Sequence, residues 1–187
     1  MILKFKLTRT IKISKNVALW NTWDHEHLSY VHKQFDKPKI LFEDHKSVFI
    51  KTKVKIPFTP FYSDSLHTLI KIDDNNVLVI DTLPFNIISR LRMEYIVLGK
   101  NKTKLVNHYE LFLPSFLKPF KKIIIGFIKK WNGVNWEEDY PLKVRRELAL
   151  KLGFKDFHGN DPNFKTKFDD NLRLPLPRLK DSILNEK

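Results

Sequence analysis

Apolar and basic positions alternate at the start of the chain. Leu3, Phe5 and Leu7 stand between Lys4, Lys6 and Arg9, and the period of two predicts a strand over 2–13 with one wet face. Ser14 and Asn16 then offer helix caps, and the spacing of Val17, Leu19, Trp20, Trp23, Leu28, Tyr30 and Val31 suits one or two short helices over 16–34, closed by Pro38. Strand-like segments follow at 39–44, 47–57, 65–73, 76–83, 87–98 and 103–113. Their connections are short and rich in turn formers, as in Asp73-Asp74-Asn75-Asn76 and Gly99-Lys100-Asn101-Lys102. Short links between consecutive strands predict antiparallel hairpins in a meander, and the absence of a strand–helix–strand rhythm disfavours a parallel sheet.

After Pro114 the apolar period becomes helical. Phe116, Leu117, Phe120, Ile123, Ile124 and Phe127 predict a helix over 115–131 that Asn132-Gly133 should break. Leu142, Val144, Leu148, Ala149 and Leu152 predict a second helix over 136–152, stopped by Gly153. The remainder is polar and proline-containing, with RLPLPRL at 173–179. The expected organisation is a domain over 1–153 and an extended tail over 154–187, packed on the domain or trailing from it. The tail could serve as a polyproline ligand, but an extended strap on the surface is the plainer reading.

Composition narrows the chemistry. The chain has 187 residues and 42% hydrophobic content, enough for a real core. It has no Cys, which removes disulfides, Cys-ligated zinc, thiol nucleophiles and any iron–sulfur cluster held by this chain. Its 5 Gly form neither a dinucleotide fingerprint nor a phosphate loop. No apolar run is long enough to span a bilayer, and the first residues carry no signal-peptide core, so a cytoplasmic location is expected. No Ser sits in a nucleophile elbow, and the carboxylate pairs Asp73-Asp74 and Asp169-Asp170 look like turns.

The order of elements is strand, short helices, about six antiparallel strands, then C-terminal helices. It resembles the START-like, helix-grip superfamily, and IKISKNVALWNTWDHEHLSYVH resembles that superfamily's first strand, Val-x-x-Trp helix and Trp-Asp turn. The resemblance covers roughly residues 5–152. It implies an α+β fold in which a curved antiparallel sheet carries a C-terminal helix on its concave face. It also implies an apolar cavity between sheet and helix for a hydrophobic, aromatic or sterol-like small molecule. Trp23, Phe49, Tyr95, Tyr109, Phe112 and Tyr140 are the residues placed near that cavity, drawn from 15 Phe, 5 Tyr and 4 Trp.

Three of the seven histidines, His25, His27 and His32, fall within eight residues. Neutral imidazole is the commonest ligand for several transition metals. On a straight helix, however, His27 and His32 point about 140° apart, so they converge only if the helix ends or bulges between them. The bland alternative is a set of solvated or hydrogen-bonded histidines. Asp24-x2-His27-x4-His32 also resembles the D-x2-H-x4-H motif of Rieske-type oxygenases, whose catalytic domain is START-like. That resemblance implies mononuclear non-haem Fe(II) held by His27, His32 and a carboxylate on the C-terminal helix, Asp139 or Glu138, with Asp24 orienting a histidine. Electrons would have to come from a separate acidic ferredoxin-type protein. Trp20 stands where the family usually has an acid or Asn, and the chain has no Rieske domain. Glu137-Glu138-Asp139 also suits a helix N-terminus for electrostatic reasons alone. Two functions therefore compete: an iron oxygenase-like catalytic domain, and a non-enzymatic carrier of a hydrophobic ligand.

The formal net charge is +13. Residues 100–151 hold 12 Lys and Arg against 5 Asp and Glu. Lys118, Lys121, Lys122, Lys129 and Lys130 stand beside Phe116, Phe120, Ile124 and Trp131. A solvated helix face, an anionic membrane surface and an acidic protein partner all suit this pattern. Nucleic acid is disfavoured, because no recognised nucleic-acid-binding motif accompanies the charge.

Overall fold

The structure, a computed structural model, describes residues 1–25, 28–56 and 59–151, without the side chains of Ser29, Tyr30 and Leu150. The tail expected over 154–187 lies outside the described residues.

The elements run β1 (Ile2–Ile11), α1 (Lys15–Trp23), α2 (Leu28–Val31), β2 (Phe35–Glu43), β3 (Ser47–Lys55), β4 (Tyr62–Lys71), β5 (Asn76–Leu83), β6 (Ile87–Gly99), β7 (Lys102–Phe112) and α3 (Lys121–Lys151). Among the described residues the seven strands form one antiparallel sheet in the order β1-β7-β6-β5-β4-β3-β2. β2 to β7 form a continuous meander, β1 returns beside β7, and β1 and β2 are the two edges of the sheet, whose concave face is covered by the long helix α3.

Side-chain alternation sets which face is buried. In β3, Val48, Ile50, Thr52 and Val54 are buried, while Phe49, Lys51, Lys53 and Lys55 face out. Each fully buried aliphatic side chain of this kind contributes about 1.5–3 kcal/mol. The main core joins Ile11, Ile13, Val17, Trp20 and Trp23 to Val48, Ile50, Leu69, Val79 and Tyr95 on the sheet. A second cluster at the other end joins Ile87, Leu111 and Leu113 to Leu117, Ile124 and Ile128.

Two expectations are corrected. Pro38 does not close the first helical region; it lies inside β2, beside a register shift between Asp36 and Lys39, with Lys37 at φ 49°. β2 is an edge strand, where a missing N–H and a bulge are tolerated. Asn132-Gly133 does not break the C-terminal helix either, and α3 runs unbroken from Lys121 to Lys151. Tertiary contacts outweigh the local signal there. The Asn132 amide donates to the Tyr109 hydroxyl at 2.9 Å, and Gly133 lies against Arg9 of β1. Before α3, residues Ser115–Phe120 form a tight 3₁₀ turn.

Candidate functional site: the space between the sheet and α3

The second half of α3 buries charges rather than hydrocarbon. Lys143, Arg146 and Glu147 are buried while Leu148 is 53% exposed, which inverts the amphipathic reading of this segment. Every one of the three is partnered, as burial of a charge requires. Glu147 Oε2 accepts from the Ser14 backbone N–H and hydroxyl, both at 2.8 Å, at the start of α1. Arg146 Nη1 donates to Asn21 Oδ1 at 2.7 Å, and Nη2 pairs closely with Asp24. The Lys143 ammonium pairs with Asp139 Oδ2 at 2.9 Å and sits over Trp136, 4.3 Å from its centroid. Burial lowers the Lys143 pKa and Asp139 opposes that fall.

His32 completes this layer. Its Nδ1 lies 3.0 Å from Glu138 Oε2 and its Nε2 lies 3.1 Å from Asp139 Oδ1. Burial of the ring works against charging. The hydrogen bonds to Asp139 and Glu138 and their negative charge outweigh it, so the His32 pKa is raised.

His32 and Asp139 are therefore together, as the iron-site expectation required, whereas His27 lies outside the described residues. Asp24 sits at the C-terminal cap of α1, is fully buried, and its carboxylate pairs with Arg146. Carboxylates occupy both ring nitrogens of His32, which favours imidazolium over the neutral ligand a metal needs, and Asp139 already carries the Lys143 ammonium. Among the described residues, no three His, Asp or Glu side chains are disposed to hold a metal ion.

The sheet encloses a different feature with the middle of α3. A cavity of about 90 Å³ is bounded by Phe35, Leu91, Ile128 and Trp131, with Asp81, Ser65, Ser89, Tyr109 and Asn132 as its polar groups. A second space, of about 200 Å³, lies behind Trp131 and is bounded by Gln34, Ile56, Phe127 and Val134. Trp131 lines both. The polar groups are held by cross-strand contacts. Asp81 pairs closely with His67 Nδ1 on β4, and Ser65 donates to the Thr82 carbonyl at 2.5 Å. Tyr109 stacks on Phe5 at 4.8 Å, and burial pushes its hydroxyl pKa up. The rings of His32, His67 and Trp131 surround Phe35 at 6.0–6.3 Å, so Phe35 joins the charged layer to the cavity.

Of the six aromatics expected at a cavity, Tyr109 lines it. Trp23 and Tyr95 are buried in the main core, where Tyr95 meets Thr22 Oγ1 at 2.6 Å. Phe49 and Phe112 stand on the convex face of the sheet, and Tyr140 is exposed on α3 beside Trp136. The residues missed were Phe35, Asp81, Leu91, Ile128 and Trp131. Strand parity was the available signal. Leu91 shares its face with Ile87 and Ser89, and Asp81 shares its face with Val77 and Val79.

No protein-family model matches the chain, and no curated protein matches it significantly. Solved structures do. The Zhui aromatase/cyclase from Streptomyces sp. R1128 is similar with a TM-score of 0.66 at 10% identity, over 78% of this chain and 96% of that one. Ara h 8.0201 is similar with a TM-score of 0.53 at 11% identity, over 74% of this chain and 98% of that one. Norcoclaurine synthase from Thalictrum flavum, solved with dopamine and hydroxybenzaldehyde, is similar with a TM-score of 0.53 at 14% identity, over 76% and 88%. The oxygenase likeness of Asp24-x2-His27-x4-His32 finds no support among these neighbours. At such identities the likeness is one of fold: the chain has the helix-grip architecture, a curved seven-stranded antiparallel sheet with a long C-terminal helix on its concave side.

Proposed function

We propose that the chain is a binding protein for a small aromatic compound carrying one hydrogen-bonding group, held between the concave sheet and α3. One observation carries this reading: an interior cavity with aromatic and aliphatic walls, into which Asp81, Ser89 and Asn132 bring a few convergent polar groups. That combination is the usual build of a small-molecule site. The volumes favour a compact ligand. A cavity of about 150 Å³ can hold benzene, and Trp131 divides spaces of about 90 and 200 Å³. A movement of the Trp131 indole would join them. The solved complex of norcoclaurine synthase with dopamine and hydroxybenzaldehyde supports the ligand class, as a protein of similar fold occupied by small aromatics.

The test is a thermal-shift and calorimetric titration with hydroxybenzaldehyde and with 8-anilino-1-naphthalenesulfonate. Binding should raise Tm in the wild type. Leu91→Trp, which fills the interior, should abolish it, and Trp131→Ala, which merges the two spaces, should strengthen binding of the bulkier naphthalene. Absence of any shift with either probe, or equal binding by Leu91→Trp, would sink the proposal.

A further inference from the structure

One end of the molecule collects exposed aromatic side chains from separate parts of the chain. The register puts them there. Lys55 pairs with Tyr62, so the β3–β4 connection turns at this end, and Phe61 in it is 68% exposed. Leu83 pairs with Ile87, so the β5–β6 turn lies at the same end, and Phe85 in it is 58% exposed. Phe112 pairs with both Ile2 and Ile88, so the chain leaves β7 here and enters α3 through the 3₁₀ turn.

That entry segment has two apolar stripes. Leu117, Ile124 and Ile128 pack into the second core cluster. Phe116, Phe120 and Ile123 face the other way, and Phe116 and Ile123 are each 65% exposed. Residues 111–136 contain five Lys and no Asp or Glu. Lys118, Lys121 and Lys122 are exposed beside the outward stripe.

Exposed aromatics on several turns are costly to leave in water, and a patch of this kind marks an interaction surface. From this geometry we infer that this end of the molecule docks on an anionic lipid bilayer. Phe61, Phe85, Phe116 and Phe120 enter the headgroup boundary, and the three lysines meet the acidic headgroups. Charge selects this occupant. The run is purely cationic, and basic residues beside apolar side chains are the signature of interfacial binding to anionic lipids. The tail is a poorer complement, because residues 154–187 carry seven basic groups against six acidic ones. The outer space behind Trp131 reaches the strand end from which the β3–β4 connection leaves. Ile56 lines it, and the Ile56 N–H donates to the Phe61 carbonyl at 2.9 Å.

The experiment is flotation of the full chain with two kinds of vesicle, phosphatidylcholine alone and phosphatidylcholine with about one third phosphatidylserine. The wild type should float with the anionic vesicles and not with the neutral ones, and added salt should weaken the binding. Phe116→Ala/Phe120→Ala should weaken it by roughly tenfold or more. Lys118→Glu/Lys121→Glu/Lys122→Glu should weaken it by at least about fivefold per position. All five positions are exposed, so both variants should keep the wild-type Tm. No binding to anionic vesicles at low salt, or unchanged binding by either variant with Tm preserved, overturns the inference. Concentration-dependent self-association lost in Phe116→Ala/Phe120→Ala, with no vesicle binding, overturns it in favour of a second copy as the occupant.

Discussion

The guanidinium of Arg146 lies over the face of Trp20, 3.4 Å from the ring centroid, while its Nη2 holds the carboxylate of Asp24. A charge this deep is tolerated because the cation–π contact, the ion pair and the Asn21 hydrogen bond replace its hydration.

Removing one partner of that pair leaves a buried charge alone. Asp24→Asn should therefore destabilise the protein by about 3–5 kcal/mol in chemical denaturation. The joint replacement Asp24→Leu/Arg146→Met should recover much of the loss. A loss below about 1 kcal/mol in Asp24→Asn would show that the pair is not buried as described.

His32 gives the protein a signed pH dependence. Its folded-state pKa is raised above the ordinary value of 6.5. The stability it contributes is thus fully present below 6.5 and is lost as pH rises through the higher folded-state value. Denaturation of the wild type and His32→Gln across that window should show their difference shrinking as pH rises. A difference that grows with pH would contradict the clamp by Glu138 and Asp139.

The same clamp makes a prediction about metal. Anaerobic reconstitution with Fe(II) should leave no stoichiometric iron on the chain, because a ligating histidine must be neutral and must give up one of its two carboxylates. Stoichiometric iron in the wild type, lost in both His32→Ala and Asp139→Ala, would support the iron-site reading instead.

Phe85 occupies the left-handed region at φ 64°, ψ 27°, followed by Asn86 at φ 59°. A bulky aromatic is costly in that conformation, and glycine adopts it freely. Phe85→Gly should leave Tm unchanged or raise it, against the roughly 3–5 kcal/mol lost when a core Phe is truncated. A large drop would mean that the ring packs against the fold.

The strands were legible because they obey a period of two with one apolar face. The segment expected over 76–83 matches β5, Asn76–Leu83, at both ends. The helix was less so. Asn132-Gly133 is a strong local stop, and nothing in the neighbouring residues reveals that Tyr109, on a distant strand, holds Asn132 in place. The charged face of α3 was hidden for a similar reason. Lys143, Arg146 and Glu147 read as solvated until their partners on α1 and within α3 are known. The proximity of His32 to Asp139 or Glu138 was implied by the resemblance to the oxygenase motif, but that both carboxylates flank the ring together, with Lys143 beside them, was not.

The charged layer also makes the two ends of α3 mechanically unequal. From His32 to Ser14, the ties to α1 and its neighbours fall between Glu138 and Glu147. The first two turns, up to Ile128, rest on aliphatic contacts such as Ile124 and Ile128, and they contain Gly126, whose missing side chain would meet nothing within 4 Å. Aliphatic contacts slide, whereas a buried ion pair holds its partners in one geometry. The helix is therefore a cantilever, bolted at its C-terminal end and sprung over its first turns, and the sheet is uncovered most easily by lifting the end that carries the lysines.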